Sequence, residues 1–89
     1  MDAYGIAAFR SRQQVLKFEA LLNRSGIPVR VVSTPREIAV GCGLSLAFSL
    51  NDLQAVRAVL ARERPVNLIG LYMLDQRAGT RPQLTVISK

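Results

Sequence analysis

The chain has 89 residues, 49% of them hydrophobic, which is enough for one small domain with one sheet and a pair of helices. It contains one cysteine and no histidine, which argues against His-dependent nucleophilic pairs, a tetrahedral zinc site within one chain and a dithiol redox mechanism. The six acidic residues form no pair at a catalytic spacing, so an ordinary hydrolase is not expected either.

The net charge of +6 comes from twelve Lys and Arg residues that are scattered along the chain with no run of five. This distribution is typical of a solvated surface, although a basic balance also favours anionic partners such as nucleic acid. No segment approaches the ~20 consecutive apolar residues that cross a bilayer, and the N-terminus shows no secretory-signal pattern. One cysteine cannot form an internal disulfide. We therefore expect a cytoplasmic protein with no membrane contact and no cofactor.

The first half of the chain predicts a strand followed by a well-delimited helix. The apolar run Ala3–Phe9 has an aromatic residue near each end and is typical of a strand. The spacing of Ser11 and Gln14 predicts a capping box at the start of a helix over about Arg12–Arg24. Gly26 stands where a helix C-terminal glycine is expected.

The rest of the chain predicts two more strands, a second helix and a fourth strand. Alternating apolar residues indicate the first two strands, and a nearly continuous apolar run indicates the last. Good N-terminal residues precede the helix, and a proline ends it. These elements are a strand at 27–32, a strand at 44–50, a helix from Asn51 or Asp52 to before Pro65, and a strand at 68–74.

The order β-α-β-β-α-β predicts an α+β fold. We expect a ferredoxin-like βαββαβ sandwich, a four-stranded antiparallel sheet with two helices on one face. Residues 1–74 form the predicted domain, and residues 75–89 form a basic C-terminal tail. The segment LTVIS in this tail has strand character, so the tail is expected to be flexible or to pair with a sheet edge, in this chain or a neighbour's. Val32, Ala47 and Leu71 are predicted to line a patch on the open face, which favours a homodimer.

The single cysteine lies between two glycines, and its setting permits two interpretations. Gly41 and Gly43 allow a sharp turn whose amides can converge on an anion, and Arg36 lies six residues upstream. Both features favour an exposed thiolate, the reactive form of cysteine. Alternatively, Cys42 shares its parity with Leu44, and a regular strand would then turn the thiol toward the core. The residues alone leave both interpretations open.

Two short motifs resemble the signature of a known family. Pro35-Arg36-Glu37-Ile38 followed by Gly41-Cys42-Gly43-Leu44 is similar to the PRxI and GCGL motifs of small bacterial proteins described as selenium/sulfur carrier-like. The preceding Gly26-Ile27-Pro28 and the wider order of elements fit as well, so the resemblance spans roughly residues 4–74.

The resemblance implies a cysteine that holds sulfur or selenium as a persulfide or a selenyl-sulfide. Cys42 would be the carrier thiolate, and Arg36 would stabilise the thiolate or the bound anion. The implied partners are sulfur or selenium donor and acceptor proteins, so a carrier is favoured over a turnover enzyme. The remaining motif residues would form the binding surface; they are Pro35, Glu37, Gly41, Gly43 and Leu44.

Two other functions are consistent with the predicted fold and a structural cysteine. One is an assembly or ligand-binding module that uses the open sheet face. The other is an RNA-binding module, but such modules stack bases on aromatic side chains of the central strands. The predicted outward residues of the third strand are Ser45, Ala47 and Ser49, none of them aromatic. Nucleic acid is therefore the less favoured partner.

Overall fold

The computed structural model describes residues 3–38, 41–76 and 81–88. Within these ranges the chain forms five strands, two α-helices and one 3-10 turn. In chain order they are β1 Ala3–Phe9, α1 Arg12–Arg24, β2 Val29–Ser33, β3 Leu44–Phe48, the 3-10 turn Leu50–Asp52, α2 Leu53–Glu63, β4 Leu68–Asp75 and β5 Gln83–Ser88. Neither helix in these ranges has the length and apolar character needed to cross a bilayer.

All five strands belong to one antiparallel sheet with β1 at its centre. The order across the sheet is β2-β3-β1-β4-β5, and every neighbouring pair is antiparallel. β1 and β2 therefore run parallel with β3 between them, and α1 connects them. β3 and β4 likewise run parallel with β1 between them, and α2 connects them. These two split βαβ units confirm the α+β class.

The sequence predicted a four-stranded sheet. This prediction is wrong, because β5 adds a fifth strand. β5 pairs with β4, with Tyr72 opposite Val86 and Leu74 opposite Leu84. Its two faces also have apolar contacts, since Leu84 packs on one side of the sheet and Ile87 on the other. These contacts and the backbone ladder stabilise the added strand. Of the predicted tail, residues 77–80 and 89 lie outside the described ranges.

The first helix spans Arg12–Arg24, as the residues that delimit it predicted. Its start differs in detail, because the Ser11 side chain makes no capping hydrogen bond in the described structure, so the predicted capping box does not form. At its end, the Ile27 amide donates to the Leu22 carbonyl over 2.9 Å and the Gly26 amide to the Asn23 carbonyl over 3.1 Å. This pair of bonds is a Schellman motif, which satisfies carbonyls that the helix leaves without partners.

Both helices pack on one face of the sheet, which we call the helix-side face. The Phe9 and Phe18 rings stack there with centroids 5.5 Å apart, joining β1 to α1. Cross-strand neighbours share a face, and the row formed by Leu46, Ala7 and Leu71 runs across the three central strands on this side. All of these residues are buried in one cluster with apolar residues of α1 and α2. The core that positions the strands therefore lies between the sheet and the helices.

The opposite face, which we call the second face, is not bare. Ile6, Ala8, Ala47 and Tyr72 are buried there although neither helix of the described ranges covers them, and Ile38 from the connection between β2 and β3 packs against them. The prediction that Val32, Ala47 and Leu71 line one surface patch is therefore wrong for Leu71. Leu71 lies on the helix-side face because it pairs with Ala7, whereas Val32 and Ala47 do lie on the second face.

Candidate functional site

The motif loop, residues 34–43, connects β2 to β3 and contains the PREI motif and the first three residues of the GCGL motif. The Thr34 amide donates to the Gly43 carbonyl over 2.9 Å, which closes the base of the loop. The Thr34 and Ser45 hydroxyls are 2.7 Å apart and share a second hydrogen bond. Ser45 has no exposed surface, so this bond satisfies a hydroxyl that would otherwise be buried without a partner. Two hydrogen bonds therefore fix the ends of the loop.

The first motif, PREI, forms a turn that places its residues in different environments. The Ile38 amide donates to the Pro35 carbonyl over 3.0 Å, so Arg36 and Glu37 occupy the two central positions of a β-turn. Both are exposed, whereas Pro35 is half-buried. Ile38 is only 8% exposed, since it packs on the second face. The motif thus presents one positive and one negative side chain to solvent and anchors them with an isoleucine.

The two glycines of the second motif occupy backbone conformations that other residues rarely adopt. Gly41 has φ +111° and Gly43 has φ +86°. Gly41 is also confined in space, because a β-carbon there would lie 2.8 Å from the Phe9 carbonyl oxygen and from Ile69 Cδ1. Gly43 has open space around it. Glycine is therefore required for backbone conformation at both positions and for close approach at Gly41.

The environment of Cys42 is intermediate between the exposed position and the buried position that the sequence left open. Its side chain is half-buried and packs against the helix-side cluster, on the same side as Leu44, as the alternation predicted. Its amide donates to the Phe9 carbonyl over 3.4 Å, and its thiol donates to the Leu44 carbonyl over 3.6 Å. The backbone of Cys42 is thus held at the end of β1, and the residue is neither fully buried nor fully exposed.

The loop brings some of the predicted site residues together and leaves others apart. Gly41, Cys42, Gly43 and Leu44 are consecutive at the start of β3. Within residues 3–38, 41–76 and 81–88, no hydrogen bond or ion pair joins Arg36 to Cys42. The roles predicted for Arg36 and Glu37 therefore remain predictions. The same ranges contain no group of three Cys, His, Asp or Glu side chains that could hold a metal ion.

Three residues that position the loop were not singled out in the sequence. Thr34 and Ser45 close its base, and the Phe9 carbonyl receives the Cys42 amide. A signal existed for Ser45, because a serine in the middle of an apolar strand needs a partner for its hydroxyl if that face is covered. No comparable signal existed for Phe9, since it contributes a backbone carbonyl to a residue 33 positions away.

Comparison with known proteins identifies the family. Residues 4–72 match the family described as "Putative Se/S carrier protein-like", and the matched region includes the whole motif loop. No curated protein and no solved structure matches the chain at a significant level. Because the match covers well over half of the 89 residues and contains both motifs, this chain belongs to the Se/S carrier protein-like family.

Proposed function

We propose that this protein carries one sulfur or selenium atom on Cys42, as a persulfide or a selenyl-sulfide, and passes it to a partner enzyme. The observation that carries the proposal is the family match over residues 4–72, which contains the only cysteine of the chain. The local geometry supports it. Gly41 and Gly43 have no side chains that would obstruct a second thiol approaching Cys42 Sγ, and both are exposed.

The loading step is a thiol exchange that needs one cysteine on this chain. The Cys42 thiolate attacks the terminal sulfur of a donor persulfide, R–S–SH. A bond forms between Cys42 Sγ and that sulfur while the donor S–S bond breaks, and the bonding electron pair leaves with the donor sulfur. The proton lost by Cys42 ends on the donor, which is released as R–SH. No external oxidant or reductant is consumed.

The delivery step repeats the exchange in the other direction. An acceptor thiolate attacks the terminal sulfur, a new S–S bond forms on the acceptor, and Cys42 leaves as a thiolate. A second cysteine on this chain is unnecessary because the exchanging thiol belongs to the partner. The same steps apply to selenium when the donor holds a terminal selenium atom in place of sulfur.

The thiol contacts described above indicate what must change when Cys42 reacts. Only a protonated thiol can donate a hydrogen bond to the Leu44 carbonyl, so ionisation releases the sulfur from this contact. Contact with the helix-side cluster shields one flank of the sulfur, and the attacking group therefore approaches from the solvent side. Arg36 has no acidic partner within the described ranges and is free to approach the negative terminal atom.

Intact-mass spectrometry after incubation with glutathione persulfide tests the loading step. We expect the folded protein to gain one sulfur atom and the Cys42→Ser variant to gain none. Glutathione selenopersulfide, prepared from glutathione and selenite, should load one selenium atom in the same way. Because any accessible thiol reacts to some extent, the urea-unfolded chain is the control. Loading that is no faster in the folded protein than in the unfolded chain would contradict the proposal.

A further inference from the structure

A cleft opens at the end of the sheet remote from Cys42, and residues of both the second face (Tyr4, Ala47) and the helix-side face (Val29, Phe48) line it. Its volume is about 490 Å³, within the size range of small-molecule sites. The register explains why the cleft exists. Ala47 on β3 lies directly opposite Arg30 on β2, and Tyr4 projects from the start of β1 beside them. The short side chain of Ala47 therefore forms a floor between two long side chains.

Two opposite charges line this cleft without neutralising each other. The Arg30 guanidinium carbon lies 5.7 Å from the centroid of the Tyr4 ring, so the ring orients it. Asp52, at the start of α2, also lines the cleft. Within the described ranges the ion pair present is Arg62–Glu63 on α2, and neither Arg30 nor Asp52 has a partner of opposite charge. A separated positive and negative charge in one cleft match the two charges of a zwitterion.

The uncharged residues that line the cleft indicate what the ligand contains besides its two charges. Pro28 and Val29 add apolar surface to the lining, and the Tyr4 hydroxyl donates to Gln76 Oε1 over 3.4 Å, which closes one side. An apolar group bound there would lose part of its contact with water.

We propose that this cleft binds a free α-amino acid with an apolar side chain. The carboxylate pairs with Arg30, the ammonium group pairs with Asp52, and the side chain packs over Ala47 against Tyr4. Both charged contacts are charge-assisted hydrogen bonds, which are stronger than neutral ones. The site shares no residue with the motif loop, so it is independent of the carrier function proposed for Cys42.

Amide chemical-shift titration with L-methionine tests the proposal, with two blocked ligands as controls. N-acetyl-L-methionine lacks the ammonium charge, and L-methionine amide lacks the carboxylate. We expect L-methionine to cause saturable shifts at Arg30, Ala47 and Asp52, and each blocked ligand to bind at least about tenfold more weakly because one charged contact is lost. Equal binding of all three ligands, or no saturable shifts in the cleft, would overturn the proposal.

Variants of the lining make the test specific. Arg30→Gln should weaken L-methionine binding at least about tenfold, and Asp52→Asn should do the same. Arg57→Gln, an exposed position on α2 away from the cleft, should leave binding unchanged. Cys42→Ser should also leave it unchanged. If Arg57→Gln weakens binding as much as Arg30→Gln does, the effect is one of net charge and the proposed site is wrong.

Discussion

At the scale of single residues, the two glycines that flank Cys42 differ in what they require. Gly43 needs only a positive φ, since nothing lies near the position of its absent side chain. Gly41 needs both a positive φ and space, because the Phe9 carbonyl and the Ile69 side chain approach it closely. The same residue type therefore serves two different purposes on the two sides of the thiol.

Alanine substitutions should separate these two requirements. Gly43→Ala should lower the free energy of unfolding by about 1 kcal/mol, the cost of a strained backbone, and Gly43→Asn should cost less because asparagine tolerates positive φ. Gly41→Ala should cost at least about twice as much as Gly43→Ala, since it adds a clash with the fixed Phe9 backbone. Urea denaturation measures all three. Equal losses for the two alanine variants would show that the close contacts at Gly41 do not affect the free energy of unfolding.

The bond between Thr34 and Ser45 gives a second prediction at this scale. Thr34→Val leaves the fully buried Ser45 hydroxyl without a partner and should lower the free energy of unfolding by roughly 1–3 kcal/mol. Ser45→Ala should cost less, because half-buried Thr34 can turn to water instead. The double variant should lose less than the sum of the two single variants. Strictly additive losses in a urea double-mutant cycle would mean that the two hydroxyls do not stabilise the loop together.

At the scale of elements, β5 converts a four-stranded arrangement into the five-stranded sheet. It covers the edge of β4, and its side chains reach both faces of the sheet. Ile87 packs against the helix-side cluster, whereas Val86 is 51% exposed. This difference within one strand allows a matched comparison.

Truncating these two neighbours should have unequal effects. Ile87→Ala should lower the free energy of unfolding by about 1–2 kcal/mol, less than a fully buried isoleucine would, because its burial is partial. Val86→Ala should change it by no more than about 0.5 kcal/mol. Urea denaturation of both variants provides the measurement. If Ile87→Ala is as neutral as Val86→Ala, β5 does not contribute to the core.

The sequence predicted best those elements whose limits depend on neighbouring residues. β1 and α1 were predicted at their observed limits because an apolar run, Ser11 and Gly26 delimit them locally. For β5 the sequence indicated strand character and left edge pairing open, but it did not identify β4 as the partner, because that pairing depends on contacts across the fold. Ile38 was missed for the same reason. Its apolar character is visible in the sequence, but the face that it covers is largely defined by Ile6 and Tyr72, which are more than 30 residues away in the chain.

In the candidate site, too, the sequence predicted the local features and not those that depend on distant residues. Parity correctly placed Cys42 on the same side as Leu44, and the glycines correctly indicated a sharp turn. The degree of burial could not be predicted, since it depends on how the end of β1 lies against residues 41–43. For the same reason, the contact of the Cys42 amide with Phe9 had no local signature.

At the scale of the whole molecule, the connectivity gathers positive charge at the end of the sheet where β1 stops and β3 begins. α1 starts at this end, α2 ends there, and the motif loop lies there as well. Among residues 3–38, 41–76 and 81–88, five arginines lie at this end, and two acidic residues, Glu37 and Glu63, lie there with them. The five are Arg10, Arg12, Arg36, Arg62 and Arg64. The end that contains Cys42 is therefore positive.

Alkylation rates should report this field at the thiol. The ratio of the rate with iodoacetate, an anion, to the rate with neutral iodoacetamide should be higher in the folded protein than in urea, and it should fall as salt is added because exposed charges are screened. Arg36→Gln should lower the ratio in the folded protein. Arg24→Gln removes the same charge at the opposite end of the sheet and is the matched control. Equal ratios for the two variants would contradict a local effect of Arg36.

The motif loop has one further consequence, which concerns its length. Ile38 is held on the second face and Cys42 packs toward the helix-side face, so two residues four positions apart in the chain are fixed to opposite surfaces of the sheet. Inserting or deleting one residue between them would displace Ile38 or Cys42 from its packed position, because the two faces of the sheet cannot move to compensate. Length changes in homologous or engineered chains should therefore be tolerated less in this connection than beside the exposed Val66 in the connection that follows α2.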